Sequence, residues 1–174
     1  MEENESQSIT TRSAGIRYGV IYGVISIAYF LVLMMANIDM SQGFGRWGGS
    51  VIAIVVVLMA HKYFKENGDG FMTYGQGVGI GFWIGLIASV ISGIFTYIYA
   101  KFLDTGFIPM IREKAIADME AKGQANDASI KMVEMFTSAE ALPLFGLFIG
   151  ILTLVIIALI ISIFTQKSQP ETSI

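Results

Sequence analysis

Four long apolar runs alternate with short polar segments along the chain. They span about residues 16–36, 47–64, 74–102 and 142–164. Crossing the hydrocarbon core of a bilayer as a helix takes roughly 17 to 25 mostly apolar residues, and each run meets that length. The third carries no charge from Tyr74 to Ala100 and is apolar all round, whereas a helix on a soluble core keeps one polar face. The pattern predicts an all-α integral membrane protein with four transmembrane helices. The first run is too long for the core of a cleaved signal peptide, and no small-residue cleavage site follows it, so it reads as a retained helix.

Within these runs small residues recur at every fourth position. The first holds Gly15, Gly19 and Gly23, the third Gly77, Gly81, Gly85, Ser89 and Gly93, and the fourth Gly146, Gly150, Ala158 and Ser162. Small residues let helix backbones approach closely where no hydrophobic effect drives helices together. Gly15, Gly19, Gly23, Gly77, Gly81, Gly85, Ser89, Gly93, Gly146 and Gly150 are therefore the predicted packing residues. Four residues turn a helix by about 400°, so a four-spaced row drifts about 40° per step and about 160° from Gly77 to Gly93. That drift favours two partners, one for Gly77/Gly81/Gly85 and another for Ser89/Gly93. The other reading is a single partner crossing at a right-handed angle. Either way the third helix is expected to be central.

The polar segments complete the plan. Residues 1–14 read as a disordered tail, 15–166 as one membrane domain and 167–174 as a second tail. Residues 37–46 and 61–73 are turns. Residues 104–140 are predicted to form an extramembrane helical hairpin between helices 3 and 4. Ile108, Ile111, Ala115, Ile116 and Met119 recur at helical spacing, and the pattern breaks at Gly123-Gln124-Ala125-Asn126. Pro109 suits a first helical turn. Thr137 and Glu140 have capping-box spacing ahead of the fourth run.

Composition narrows the chemistry. The chain has 174 residues, 54% hydrophobic and 14% charged, well below the roughly 25% charged residues of a soluble domain. Its net charge of −3 argues against a nucleic-acid partner. The absence of cysteine removes disulfides, thiolate metal sites and cysteine nucleophiles. No acidic or basic residue stands in the middle of a run, as proton relays usually require. His61 lies beside Lys62 and reads as an interfacial residue, since a zinc site takes three or four ligands and no such set assembles. Gly75-x-Gly77-x-Gly79-x-Gly81 is not a phosphate loop, because no strand precedes it and no GK[ST] follows. Ser26, Ser89, Ser92 and Ser162 have no base and read as interhelical hydrogen-bonders. Glu113, Asp118, Glu120 and Asp127 read as a solvated face. No cofactor is expected.

Three segments carry a resemblance. Gly70-Phe71-Met72-Thr73-Tyr74-Gly75-Gln76 leads into the third helix, and Ile94-Phe95-Thr96-Tyr97-Ile98-Tyr99 leads out of it. Met135-Phe136-Thr137-Ser138 precedes the last helix. In this order, over nearly the full chain, they resemble the bacterial membrane family known as domain of unknown function four-one-nine-nine. Ala139-Glu140 stands where similar members often carry Pro-Gly. The resemblance implies four helices in a bacterial cytoplasmic membrane and supplies no activity, substrate or site residue.

The expectation is thus a non-enzymatic membrane protein whose partners are the lipid bilayer and either its own copies or another membrane protein. Both termini are expected on the cytoplasmic side. The alternative is a small transporter or channel component with a polar path near Gln76 and Asn37.

Overall fold

A computed structural model describes residues 9–38 and 43–168. Six α-helices follow in order: α1 Thr11–Met35, α2 Gly43–Glu66, α3 Tyr74–Ile98, α4 Phe107–Ala121, α5 Asp127–Phe136 and α6 Ala141–Thr165. A π-helical turn, Tyr99–Leu103, continues α3. α1, α2, α6 and the continuous Tyr74–Leu103 helix are long and apolar enough to cross a membrane. At roughly 1.5 Å per residue a 25-residue helix is about 38 Å long, more than the 30 Å core.

Local chemistry sets the helix ends. Thr10 and Ser13 form a reciprocal capping box at the start of α1. The helix therefore begins at Thr11, inside the segment expected to be a disordered tail, and residues 1–8 of that tail lie outside the described residues. α2 likewise starts at Gly43, within the expected turn. α1 ends in a Schellman motif, in which Asn37 N donates to Met34 O and Ile38 N to Leu33 O. Asn37 takes the left-handed conformation, φ 52°, that this motif places after the cap. The glycine-dense start of α3 is regular helix. Thr73 Oγ1 accepts from Gln76 N, and Gln76 Oε1 accepts from Thr73 N at 2.7 Å.

The four long helices are antiparallel to their chain neighbours. Met72 and Lys167 pair through two backbone hydrogen bonds of 3.0 and 2.8 Å, which brings the start of α3 to the end of α6. Both described ends of the chain therefore lie at one end of the bundle. The main core joins Ala14 and Tyr18 of α1, Ala53 to Phe64 of α2, Ile80 and Ile84 of α3, and Leu154, Ala158 and Ile161 of α6.

α3 lies between α1 and α6, and the small residues explain how. Gly15, Gly19 and Gly23 of α1 receive Trp83, Ile87 and Ile91, which also recur every fourth residue. On its other face, Gly77, Gly81 and Gly85 of α3 meet Ser162, Ala158 and Leu154 of α6, while Ser89 sits against Gly150. Gly93 faces Pro143. One helix, α6, thus follows the whole α3 row, and the expectation of two partners is corrected. α6 carries its own row of small residues, so the two drifting rows stay together as one crossing. α3 is central because its large residues also fill the groove of α1.

Between α3 and α6 lies the hairpin. Phe107 starts α4 inside an aromatic cluster with Phe30 of α1, and Tyr99 and Phe95, ring centroids 5.2 to 5.9 Å apart. Gly123, φ 66°, closes α4, and Asn126 caps α5 through Ser129. Thr137 does not cap α6 as expected. Its hydroxyl donates to Val133 O at 2.7 Å and accepts from Arg112 Nε, tying the end of α5 to α4. Ser138 Oγ accepts from Ala141 N instead.

A Cβ added at Gly81 would overlap Ala158, whereas one added at Gly75 meets nothing within 4 Å. Overpacking of a tight interface costs about 1 to 3 kcal/mol. Gly81→Leu is therefore expected to lower the unfolding temperature in detergent by several degrees, and Gly75→Ala to leave it unchanged or slightly raised. Thermal unfolding followed by circular dichroism measures both.

Candidate functional site

Besides Ser162, whose buried Oγ has no hydrogen-bond partner among the described residues although an interhelical bond was expected of it, two polar features stand inside the apolar bundle. The first is His61, expected at the interface but fully buried. It is the only histidine in the chain. Its Nε2 lies 3.0 Å from Gly77 O of α3, and its Nδ1 lies 2.8 Å from Thr165 Oγ1 of α6. A carbonyl only accepts, so Nε2 carries a proton. Lys65, one turn further along α2, donates to Thr165 O at 2.9 Å. His61 and Lys65 thus pin α2 to the ends of α3 and α6. Sequence reasoning missed this because it depends on three helices converging on one side chain. The glycine at position 77 was the available signal, since it leaves room for the imidazole and for Ser162.

The second feature is a cavity of about 350 Å³ between α1, α3 and α6. It begins where the glycine rows part. Ser89 and Gly150 still touch, but one step further Gly93 has only ordinary contact with Pro143, and a Cβ at Gly146 meets nothing. Gly93 and Gly146 are cavity-forming positions here rather than close-packed ones. No residue of α2 lines the space. The early part of α2 leans on α1, where Tyr29 donates to Phe44 O at 2.7 Å. The gap between α1 and α6 is therefore left uncovered, and the cavity ends against the buried Ala88 and Leu154.

Six hydroxyl residues face this cleft: Tyr22 and Ser26 of α1, Ser89, Ser92 and Thr96 of α3, and Thr153 of α6. No Lys, Arg, Asp, Glu or His lines it. Ser26 Oγ bonds Gly23 O at 3.0 Å and lies 3.2 Å from Ser92 Oγ. Among the described residues, the hydroxyls of Tyr22, Ser89, Thr96 and Thr153 have no hydrogen-bond partner. In an apolar medium an unpaired hydroxyl is unfavourable by a few kcal/mol, so this wall is chemically suited to a hydroxyl- or carbonyl-bearing occupant. A separate apolar groove lies on the other side of the α3/α6 contact. Val90, Ile94, Leu144 and Leu147 line it, with Tyr97 and Glu140 at its rim. There Lys101 pairs with Glu140 at 3.6 Å and lies over the Tyr97 ring.

Residues 17–167 match the family described as "Protein of unknown function (DUF4199)". The chain belongs to that family. No curated protein and no solved structure matches it. The match spans both polar features of this DUF4199 chain, the buried His61 and the hydroxyl cleft.

The two residues expected to line a polar path do other work. Gln76 is exposed and its amide caps α3, while Asn37 forms the end of α1. Among the described residues no group of three His, Cys, Asp or Glu side chains is placed to hold a metal ion. Glu113, Asp118, Glu120 and Asp127 are all exposed on α4 and α5.

Removing the imidazole deletes two hydrogen bonds and leaves a cavity among three helices. His61→Ala is expected to destabilise the bundle by about 2 kcal/mol, measurable as a lower urea or heat midpoint in detergent. Thr165→Val should produce a smaller loss, because it removes one of the two bonds and keeps the volume.

Proposed function

We propose that this DUF4199 protein is a non-enzymatic integral membrane protein that holds a small uncharged molecule in the cleft between α1, α3 and α6. One observation carries the reading: four hydroxyls without protein partners face a cavity walled by three helices long and apolar enough to cross a membrane. Ligand pockets span roughly 300 to 1,000 Å³ and place a few polar groups in apolar walls, and this cleft fits that description. It is open on one side and ends inside the bundle, which supports binding over a continuous pore.

The non-enzymatic reading rests on the lack of a paired nucleophile and base. Both ring nitrogens of His61 are engaged in holding helices, and no carboxylate lines the cleft. The glycine rows that motivated association with other chains are used within this one. Association with its own copies or another membrane protein is therefore assigned to the bilayer-facing surfaces, and the bilayer itself is the first partner.

On this reading the protein belongs in a bacterial cytoplasmic membrane, multi-pass, with both termini cytoplasmic. The end of the bundle that holds the described chain ends carries Arg12, Arg17, Lys62, Lys65 and Lys167 against the other six Lys and Arg at the opposite end, so the reading weights the short segments, in which such cations mark the cytoplasmic side. Arg12 lies over Trp83, Arg17 over Tyr63 and Lys167 over Phe71, which suits an interfacial belt. The α4–α5 hairpin then lies outside the membrane on the opposite side, with Met110, Met132 and Met135 exposed.

Two experiments test this reading. Small molecules that co-purify with the wild type and with Gly146→Trp, which fills the cleft, are compared by mass spectrometry. An uncharged compound present only with the wild type is expected, and identical profiles would overturn the assignment. Orientation follows from single cysteines in this cysteine-free chain: Asn67→Cys should be protected from an impermeant thiol reagent added outside intact cells, and Gln124→Cys should react. The reverse pattern would invert the topology.

A further inference from the structure

The cleft faces sideways. It opens between α1 and α6, on stretches where Ile25 and Ile149 are exposed alongside Thr153 and Gly146. These positions are in the middle and outer half of spanning helices, so whatever occupies the cleft arrives from the bilayer rather than from water. The wall combines hydroxyls, which donate and accept, with no charged side chain. A charged headgroup would be buried there without a counter-ion, which is strongly unfavourable. The nearest ion pair, Lys101 with Glu140, belongs to the groove on the other side of the α3/α6 contact. The volume of about 350 Å³ is at the small end of ligand pockets. It accommodates a headgroup and the start of a chain, with the remainder left in the opening.

Resting on the proposed ligand-binding reading, we infer that the cleft receives the neutral, hydroxylated headgroup of a membrane lipid, of the monoacylglycerol type, whose chain stays in the bilayer between α1 and α6. The unpaired hydroxyl of Thr96, one turn beyond Ser92 on α3, supplies with the Ser26–Ser92 pair complementary partners for glycerol hydroxyls and an ester carbonyl. Ser26 and Ser92 are already near each other at 3.2 Å and form the floor of the polar wall. Water alone is the rival occupant.

The test is native mass spectrometry of the full chain in detergent, titrated separately with monoolein, glycerol and lysophosphatidylglycerol. Gly146→Leu serves as the cleft-filling variant. Nothing lies within 4 Å of the added Cβ, so it should fold, and circular dichroism checks that it does. Thr96→Val is a second variant that keeps shape and removes one hydroxyl. The expected result is saturable monoolein binding, weakened at least tenfold by Gly146→Leu and several-fold by Thr96→Val, with no retained glycerol. If glycerol binds as well as monoolein and Gly146→Leu abolishes both, the cleft binds small polar molecules and the lipid assignment is overturned. Lysophosphatidylglycerol binding as tightly as monoolein would overturn the neutral headgroup. If monoolein does not bind above background, or the variants bind it as the wild type does, the lipid inference is overturned, while the ligand reading beneath it is decided separately by the co-purification comparison.

Discussion

The close approach of α3 and α6 along a run of small residues is the constraint on which the rest depends. Gly77, Gly81 and Gly85 leave no room for a side chain beside Ser162, Ala158 and Leu154. In a membrane this proximity is valuable because dispersion and packing must do what the hydrophobic effect does in water. With α6 fixed on one face, the other face of α3 presents Trp83, Ile87 and Ile91 to the glycines of α1. Three helices are then placed by one rule applied twice, small positions receiving larger ones. α2 is held by His61 and Lys65 at one end and by Tyr29 at the other.

The same rule explains the cleft. The small-residue rows continue past Ser89 and Gly150 to Gly93 and Gly146, but the helices no longer touch closely there. Gly93, in only ordinary contact with Pro143, and Gly146, with nothing near it, leave space, and the hydroxyls of Ser26, Ser92, Thr96 and Thr153 border it. A bundle zipped at one end and parted at the other has a rigid half and an open half. The aromatic cluster of Phe30, Phe95, Tyr99 and Phe107 caps the open half and joins it to the hairpin. Close packing and open space thereby fall on different parts of one helix pair.

Much of the architecture was legible from hydropathy and spacing alone. Four long runs, the centrality of α3, and helices flanking Gly123 all follow from periodicity. Capping chemistry was harder. Thr10 with Ser13 extends α1 into a polar segment that reads as disordered, and Ser138 Oγ, not Thr137, accepts from the first backbone N–H of α6. Side-chain hydrogen bonds over three residues decide such ends, and apolar content does not report them. The role of His61 was hidden for a different reason. A histidine next to lysine at the end of an apolar run looks interfacial, and its burial arises only when α3 and α6 converge on it. The cleft was invisible because Gly93 and Gly146 look in sequence like the close-packed glycines before them.

The central claim is that the α3 and α6 rows face each other within one chain. A cysteine pair tests it directly, since the chain has no cysteine of its own. The position of a Cβ at residue 93 lies 3.7 Å from Pro143 Cβ, within the span of about 3.5 to 4.5 Å that a disulfide bridges. Gly93→Cys with Pro143→Cys should therefore cross-link under mild oxidation in native membranes and run as a monomer on a denaturing gel, with the single variants unlinked. Dimer bands in place of the intramolecular bond, or no bond at all, would contradict the account.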